Sequence, residues 1–223
     1  MAATGNVTPR LLSINVGLPV EVQWRRKTVT TSIFKAPVSG RVRVNRLNLA
    51  GDQQSDLTVH GGVDKAVYVY PSEHYEYWRE ELPGAELRWG AFGENFTSEG
   101  LLEDTIRIGD RLRIGTAEFS VTQPRMPCFK LAIRFNRADM VKRFLQSGRS
   151  GFYLKVSKEG DVDAGDAVKI IARDEDAVSV ADIVGLYTAD GANQDLLRQA
   201  SKLATLPKEW RVYFEKRLWE PDA

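Results

Sequence analysis

The sequence predicts a mainly β fold with a few interspersed helices and a small C-terminal three-helix unit. Apolar residues alternate with period two from Leu11 to Ile171, with Gly, Pro, Asn and Asp between the runs, as in half-buried strands joined by turns. From Ser179 onward the apolar period changes to about 3.6, which indicates amphipathic helices. The acidic stretch Arg173–Asp176 precedes this change, so we predict one domain over 1–175 and a helical extension over 176–223.

The composition is that of an ordinary soluble globular protein, since 43% of the 223 residues are hydrophobic and 27% are charged. Lys and Arg number 31 and Asp and Glu 30, so no overall positive field would attract nucleic acid or an acidic membrane surface. Residues 1–15 lack a signal-peptide pattern, and the apolar runs are far shorter than the roughly 20 residues of a membrane span. The single cysteine cannot form an intramolecular disulfide, so we expect a cytoplasmic protein with no membrane segment.

In an early strand region, the apolar residues change from even-numbered to odd-numbered positions. Val42 and Val44 share one parity, whereas Leu47 and Leu49 share the other. An extra residue at Asn45–Arg46 would shift the register in this way, so we predict a β-bulge there. Such a bend suits a closed or barrel-like sheet.

Two helices are predicted between the strands. The first covers Ser72–Leu82 and is stopped by Pro83. The second covers Asn136–Ser147, with its first residue as the cap and Gly148 as the terminator. Between them we predict a hairpin that turns at Gly115–Thr116. Apolar residues alternate with polar ones on both sides of this turn, at Ile106, Ile108, Leu112, Ile114, Ala117, Phe119 and Val121.

The C-terminal segment predicts three helices, the first of which begins with a capping-box pattern of Ser179 and Asp182. Pro207 opens the third. The segment is small for an independent core, so the helices should pack on the sheet or on a second subunit, and a homodimer is one expectation. Their apolar faces consist of Val180, Ile183, Val184 and Tyr187, then Leu196, Leu197, Ala200 and Leu203, then Trp210, Tyr213, Phe214 and Leu218.

The free thiol of Cys128 is the first candidate functional group. It lies in Gln123–Lys130, after a predicted strand and before the apolar segment Leu131–Phe135, and two prolines restrict the backbone ahead of it. A buried cysteine that acts as a small hydrophobe is the plain alternative. Arg125 and Lys130 bracket the thiol, however, and nearby cations favour the thiolate, which is a nucleophile or a soft-metal ligand.

His60 is the second candidate. It opens the segment His60–Lys65, whose two glycines let backbone amides approach an anionic ligand closely. The alternative is a plain turn in which this histidine caps a strand end. His74 lies in a predicted helix, where we expect a structural role. The chain has no Cys-x-x-Cys pair, P-loop, Gly-x-Ser-x-Gly or Gly-x-Gly-x-x-Gly, which argues against structural zinc, ATP chemistry and Rossmann cofactors.

Three segments together resemble the MOSC family, domains similar to the C-terminal part of molybdenum cofactor sulfurases, and in particular its stand-alone bacterial YiiM branch. They are Thr58–Val67 with Tyr70–Pro71, then Trp89–Phe96, then Gln123–Lys130 with Ser150–Tyr153. The tail from Ser179 to Leu218 also resembles the three-helix extension found in that branch. The likeness therefore covers nearly the whole chain.

The resemblance implies a β-barrel core and a bound molybdenum cofactor (molybdopterin), with Cys128 as the sulfur ligand of the metal. A thiolate suits a high-valent oxo-metal centre, and cations can neutralise the phosphate of the cofactor. Neither pyridoxal phosphate nor a nucleic-acid partner is expected. The candidate cofactor-binding residues are Cys128, Arg125, Lys130, Lys65 and Asn95.

The activity implied by the YiiM branch is reduction of small N-hydroxylated compounds, especially hydroxylaminopurine-type base analogues, to amines. In this reading Cys128 and His60 are catalytic, His60 supplies a proton or fixes the substrate, and a separate reductase provides electrons. Two alternatives stay open. One is a non-catalytic carrier of the cofactor or of sulfur on Cys128, and the other is a cofactor-free thiol enzyme in which His60 activates Cys128.

Overall fold

The structure is a computed structural model, and it describes residues 8–55, 61–173, 177–189 and 193–219. The strands are β1 (Arg10–Val16), β2 (Val20–Trp24), β3 (Lys27–Thr31), β4 (Ala36–Val38), β5 (Val42–Val44), β6 (Val67–Pro71), β7 (Phe96–Glu99), β8 (Arg111–Ile114), β9 (Ala117–Pro124), β10 (Phe152–Lys158), β11 (Gly160–Val162) and β12 (Val168–Ala172). The α-helices are α1 (His74–Glu81), α2 (Phe129–Phe135), α3 (Met140–Ser147), α4 (Val180–Thr188), α5 (Gln194–Lys202) and α6 (Lys208–Trp219). A short 3-10 helix covers Val63–Lys65.

The main sheet has eight strands in the order β12-β8-β9-β10-β6-β7-β1-β4. Its neighbours are antiparallel except β6 and β7, which are parallel and are connected through α1. The sheet curls so that β1 approaches the start of β12: Leu11 N donates to Asp166 O at 2.9 Å and Val168 N to Pro9 O at 2.8 Å. Within the described ranges this approach is one isolated bridge, Arg10 with Ala167, and not a ladder. The predicted sheet-rich fold is confirmed, but closure into a barrel is not.

Two small sheets flank the main one. β5 pairs with β11, and β2 pairs with β3 in a hairpin. Arg25 and Arg26 occupy its two turn positions at φ 48° and 63°, the left-handed backbone of a type I′ turn. The hairpin returns the chain to residues 31–35, most of which border a cavity beside Cys128.

The three C-terminal helices are confirmed, and they pack on the sheet. Sheet residues such as Val121 and Phe119 share one buried cluster with Leu197 of α5 and Phe214 of α6. Ser179 caps α4 through the predicted capping box with Asp182. Among the described helices, none has the length and apolar character that crossing a membrane requires.

A second buried cluster is rich in aromatic side chains. Tyr70, Tyr75 and Trp78 from the β6–α1 region and Phe92 from the loop before β7 meet Phe144 of α3, with the Trp78 and Phe144 rings stacked at 5.8 Å. Trp78 is thus a packing residue, whereas Trp219 is 87% exposed. The cluster lies under the loop that carries the candidate cysteine, because Leu131 of α2 belongs to it as well.

The predicted β-bulge at Asn45–Arg46 is wrong, because the chain makes a tight turn there. Asn45 N donates to Asn48 O at 2.9 Å, and Val44 bridges Leu49. The buried positions change from even-numbered to odd-numbered because the chain reverses direction there. Leu47 is therefore exposed and Leu49 is buried.

The second predicted helix is also corrected. Asn136 does not cap a helix start but ends α2 with a left-handed backbone, φ 49°. The helix that follows, α3, begins after Asp139 and ends at Gly148 as predicted. The sequence analysis missed α2 because its apolar run, Leu131–Phe135, has strand length and follows a strand.

The predicted hairpin around Gly115–Thr116 is formed by β8 and β9, with Leu112 and Ile114 buried on one side. Ile106 and Ile108 are buried too, but they lie outside β8. Their strand-like alternation has another cause: Ile108 N donates to Val178 O and Val180 N to Ile106 O, both at 2.9 Å. This short pairing attaches the start of the helical extension to the sheet domain.

Candidate functional site

Cys128 lies where the longest central strand leaves the sheet. β9 ends at Pro124, and the thiol residue precedes α2 with an extended backbone, φ −131° and ψ 175°. Cys128 O accepts a hydrogen bond from Leu131 N at 2.9 Å, so the residue is fixed to the first turn of the helix. Cys128 forms no disulfide and is of intermediate exposure. The plain reading as a fully buried hydrophobe therefore does not hold.

A cavity of about 100 Å³ adjoins Cys128 and brings the predicted cofactor residues together. Arg125, Lys130, Lys65 and Asn95 all line it with the thiol. Residues 31–33, 35 and 52–55 supply much of the remaining wall. His60 lies outside the described residues, so its predicted role stays a prediction.

Arg125 is a buried cation whose hydrogen bonds are incomplete. It is 6% exposed, and its guanidinium lies 5.1 Å from the Tyr68 ring centre and 5.0 Å from that of Phe144. Burial lowers the pKa of Arg125, but Tyr68, Tyr153 and Cys128 outweigh burial and the pKa is raised, so the group stays charged. Its buried Nη1 has no hydrogen-bond partner among the described residues. Since buried donors in folded proteins are nearly always paired, this atom is available to an acceptor beyond the described residues.

Lys35 and Asp52 form a second polar group in the same cavity, which the sequence analysis missed. The two side chains make a short ion pair and are 8% and 3% exposed. Burial lowers the pKa of Lys35, and the ion pair with Asp52 opposes that change. Nothing in the sequence pattern connects Asp52 to a lysine 17 residues away.

Asn95 holds this group in place. Its Nδ2 donates to Asp52 Oδ2 at 2.8 Å and to Asn15 O at 3.3 Å, and its Oδ1 accepts from Tyr68 N at 3.1 Å. The side chain is therefore engaged on both sides by the protein. Its predicted contact with a cofactor stays a prediction, and the observed contacts assign it a positioning role.

Glu94 organises the loop that carries Asn95. Its buried carboxylate accepts hydrogen bonds from Gly90 N at 2.7 Å, Phe92 N at 3.0 Å and Thr97 Oγ1 at 3.0 Å, and a short one from the Tyr75 hydroxyl. Burial raises the pKa of Glu94, although these hydrogen bonds oppose the rise. Glu94 and Asn95 thus have different structural roles, since Glu94 fixes the loop and Asn95 positions the Lys35–Asp52 pair.

A second cavity, of about 310 Å³, lies beside Cys128 and reaches the helical extension. Cys128, Lys65, Met126 and Tyr153 line both cavities. Gln123 and Trp210 line only the second, and Trp210 Nε1 donates to Gln123 Oε1 at 2.8 Å. The sequence analysis treated the tail as packing and did not predict that α6 forms part of the site.

His74 takes no part in either cavity. It begins α1, and its Nε2 lies 2.8 Å from Glu103 Oε2 in the protein interior. Within the described part of the chain, no group of three His, Cys, Asp or Glu side chains could hold a metal ion.

Comparison with known proteins matches two regions of the chain to two family models. Residues 56–169 match the MOSC domain, and residues 178–219 match the YiiM-like, 3-alpha helix domain. The crystal structure of YiiM from Geobacillus stearothermophilus superposes with a TM-score of 0.78 and 38% identity, over 94% of this chain and 99% of that one.

Curated relatives cover most of the chain. The uncharacterized protein YflK of Bacillus subtilis is 40% identical over 93% of both chains, and protein YiiM of Escherichia coli is 35% identical over 84% of both. A protein of Gibberella moniliformis named "Reductase" is 31% identical over 78% of this chain, which corresponds to 32% of that longer protein. The chain therefore belongs to the MOSC family, in the group that carries a YiiM-like three-helix domain behind the MOSC domain.

Proposed function

We propose that this protein is a molybdenum-cofactor-dependent oxidoreductase that reduces N-hydroxylated compounds, such as hydroxylaminopurine-type base analogues, to amines. The observation that carries the proposal is the buried, incompletely bonded Arg125 in one cavity with the single thiol of a MOSC chain. MOSC domains as a family are associated with the molybdenum cofactor. The relative named "Reductase" agrees with an oxidoreductase role.

The donor set of the cavity fits such a cofactor. Cys128 would hold the metal through its thiolate, a soft anionic donor, and Arg125 would hold the phosphate through Nη1. Lys130 and Lys65 line the same cavity and add positive charge. When bound, the cofactor supplies two-electron redox chemistry that no side chain of this protein can provide.

The reaction balances with two electrons and two protons. The N–O bond breaks, the nitrogen gains one hydrogen to become an amine, and the oxygen leaves as water with the other proton. We propose that His60 donates a proton and that a separate reductase provides the electrons. In the chain itself, Lys35 and Asp52 keep the cavity polar, while Asn95 fixes the position of that pair.

A second candidate function is a non-catalytic carrier that holds the cofactor or a sulfur atom on Cys128. The exposed side chain of Phe129 favours this function, because it directly follows Cys128 and is 47% exposed. An exposed aromatic beside a reactive group suits contact with a recipient protein.

Elemental analysis for molybdenum, together with pterin fluorescence, tests the proposal on protein from cofactor-replete cells. We expect stoichiometric molybdenum in the wild type and its loss in Cys128→Ala and in Cys128→Ser, which keeps the size but not the soft sulfur. Reduction of hydroxylaminopurine with a chemical electron donor should follow the molybdenum content. Molybdenum without turnover would favour the carrier, and turnover without molybdenum would favour a cofactor-free thiol enzyme.

A further inference from the structure

The second cavity has the size and shape of a small-molecule site. Its volume of about 310 Å³ is at the lower end of ligand pockets, which run from about 300 to 1,000 Å³. Pro124, Pro127 and Met126 give it apolar walls, and Cys128 marks its border with the first cavity. A molecule here would adjoin Cys128 in a cavity that Arg125 does not line.

Gln123 offers this cavity a directed donor. An indole N–H can only donate, so the hydrogen bond from Trp210 Nε1 fixes the amide oxygen of Gln123 toward the tryptophan. The amide nitrogen then faces the other way, and within the described residues it makes no hydrogen bond. The residue is 4% exposed. Gln123 lines the cavity, so its amide nitrogen is available to an acceptor on a ligand there.

Trp210 forms a fixed aromatic wall beside this donor. Its ring contacts Tyr187 of α4 and Phe214 of α6, both at 5.6 Å between ring centres. Tyr153 of β10 also lines the cavity, and its ring contacts that of Tyr68 at 5.3 Å between ring centres. Flat rings bind well against aromatic walls, and the donor selects rings with an acceptor nitrogen.

We propose that this second cavity is a subsite for a flat nitrogen heterocycle, whose ring nitrogen accepts a hydrogen bond from Gln123 Nε2 while Trp210 forms the adjoining wall. Two sources share this chemistry, the purine of a substrate and the pterin of the cofactor. Assignment to a substrate purine rests on the proposed function, whereas the subsite itself does not. Either ring would meet Cys128 at its edge.

The test uses Gln123→Glu, which keeps an acceptor for Trp210 Nε1 but removes the donor to the ligand. Trp210→Phe is the second variant, because it keeps an aromatic ring and releases the amide. Gln146→Glu is the matched control, since it makes the same change of charge at an exposed glutamine outside both cavities. Circular dichroism establishes that each variant is folded.

Two quantities are measured: equilibrium binding of adenine to protein prepared without molybdenum cofactor, and pterin content of protein from cofactor-replete cells. Loss of one directed hydrogen bond should weaken adenine binding about tenfold in Gln123→Glu and Trp210→Phe, but not in Gln146→Glu. This result with normal pterin content supports a substrate purine. Absent adenine binding with pterin lost from both variants supports the pterin ring.

The proposal is overturned when both variants match the wild type in adenine binding and in pterin content, or when no form binds adenine and none holds pterin. Failure of the proposed function has a different signature. In that case the wild type contains no molybdenum and reduces no N-hydroxylated purine, yet it binds adenine in a Gln123-dependent way.

Discussion

The buried position of Arg125 contributes little net stability to the protein. A buried donor without a partner costs about 1–3 kcal/mol, while its contacts with two aromatic rings contribute about 0.5–2 kcal/mol. The two terms nearly cancel. A residue that adds little to stability and yet stays charged in the interior is suited to binding an anion.

The Arg125→Met variant should therefore separate stability from binding. We expect its free energy of unfolding to stay within about 1 kcal/mol of the wild type, because the lost ring contacts are offset by the removal of an unpaired donor. Molybdenum and pterin content should fall sharply. Urea unfolding and elemental analysis measure the two effects.

Arg134→Met is the matched control for that variant. Arg134 also has a buried nitrogen without a partner, and its guanidinium lies 5.5 Å from the Phe34 ring centre, but it lines a different cavity. Its molybdenum content should be normal. Equal loss of molybdenum in both variants would contradict a specific role for Arg125.

At the scale of residues, the sequence could predict only the part of the site that is local in the chain. Arg125, Cys128 and Lys130 lie within six positions, so their proximity followed from the segment itself. Lys35 and Asp52 meet only because the β2–β3 hairpin and the turn after β5 return to one place. No pattern in a single sequence shows that encounter, nor the hydrogen bond from Trp210 to Gln123.

Among the elements, the start of α4 is the clearest case of agreement between sequence and structure. Ser179 Oγ accepts from Asp182 N at 3.0 Å, and Asp182 Oδ2 accepts from Ser179 N at 3.1 Å. The residues on either side of Ser179, Val178 and Val180, carry the backbone pairing with Ile108 and Ile106. The cap therefore fixes both the helix and its attachment to the sheet.

Ser179→Ala should lower the free energy of unfolding by about 1 kcal/mol, within the range of about 0.5–2 kcal/mol for loss of a cap. Ser179→Asp should restore most of it, since aspartate is an equally good cap. Urea unfolding measures the difference. An alanine variant as stable as the wild type would show that the backbone pairing alone holds the start of α4.

Elements with strong local signals were predicted, and those decided by distant contacts were not. Pro83, Gly148 and Pro207 gave helix ends or starts within a few residues of those observed. The short helix α2 has too few turns to show a helical period, and its end at Asn136 uses a left-handed residue that resembles a cap in the sequence. In the sequence, the turn after β5 resembles a bulge, because a turn and a bulge both change whether even- or odd-numbered residues are buried.

At the scale of the molecule, the sheet domain and the three-helix extension share one hydrophobic core. The buried cluster under the sheet contains Val121 of β9 together with Leu197 and Phe214 of the extension. The predicted boundary between 1–175 and 176–223 thus lies within a continuous core. We expect the two segments to unfold as one cooperative unit.

Leu197→Ala tests this expectation. Leu197 is 1% exposed, so the change should cost about 2–5 kcal/mol. With one unit, amide hydrogen exchange should become faster in β9 as well as in α5. Val212→Ala, at a residue 38% exposed on α6, is the control and should leave exchange in β9 unchanged. Faster exchange confined to α4–α6 would indicate two independent units.

The shared core has a consequence for how the protein is made. Ribosomes deliver the strands before the three helices, so the newly made sheet presents Val121 and Ile108 to water until translation has supplied their cover. During that interval the uncovered strands resemble an aggregation-prone folding intermediate, and we expect the nascent chain to bind general chaperones until α6 is complete. The second cavity would then be complete only after release of the helices, since Trp210 of α6 forms part of its wall.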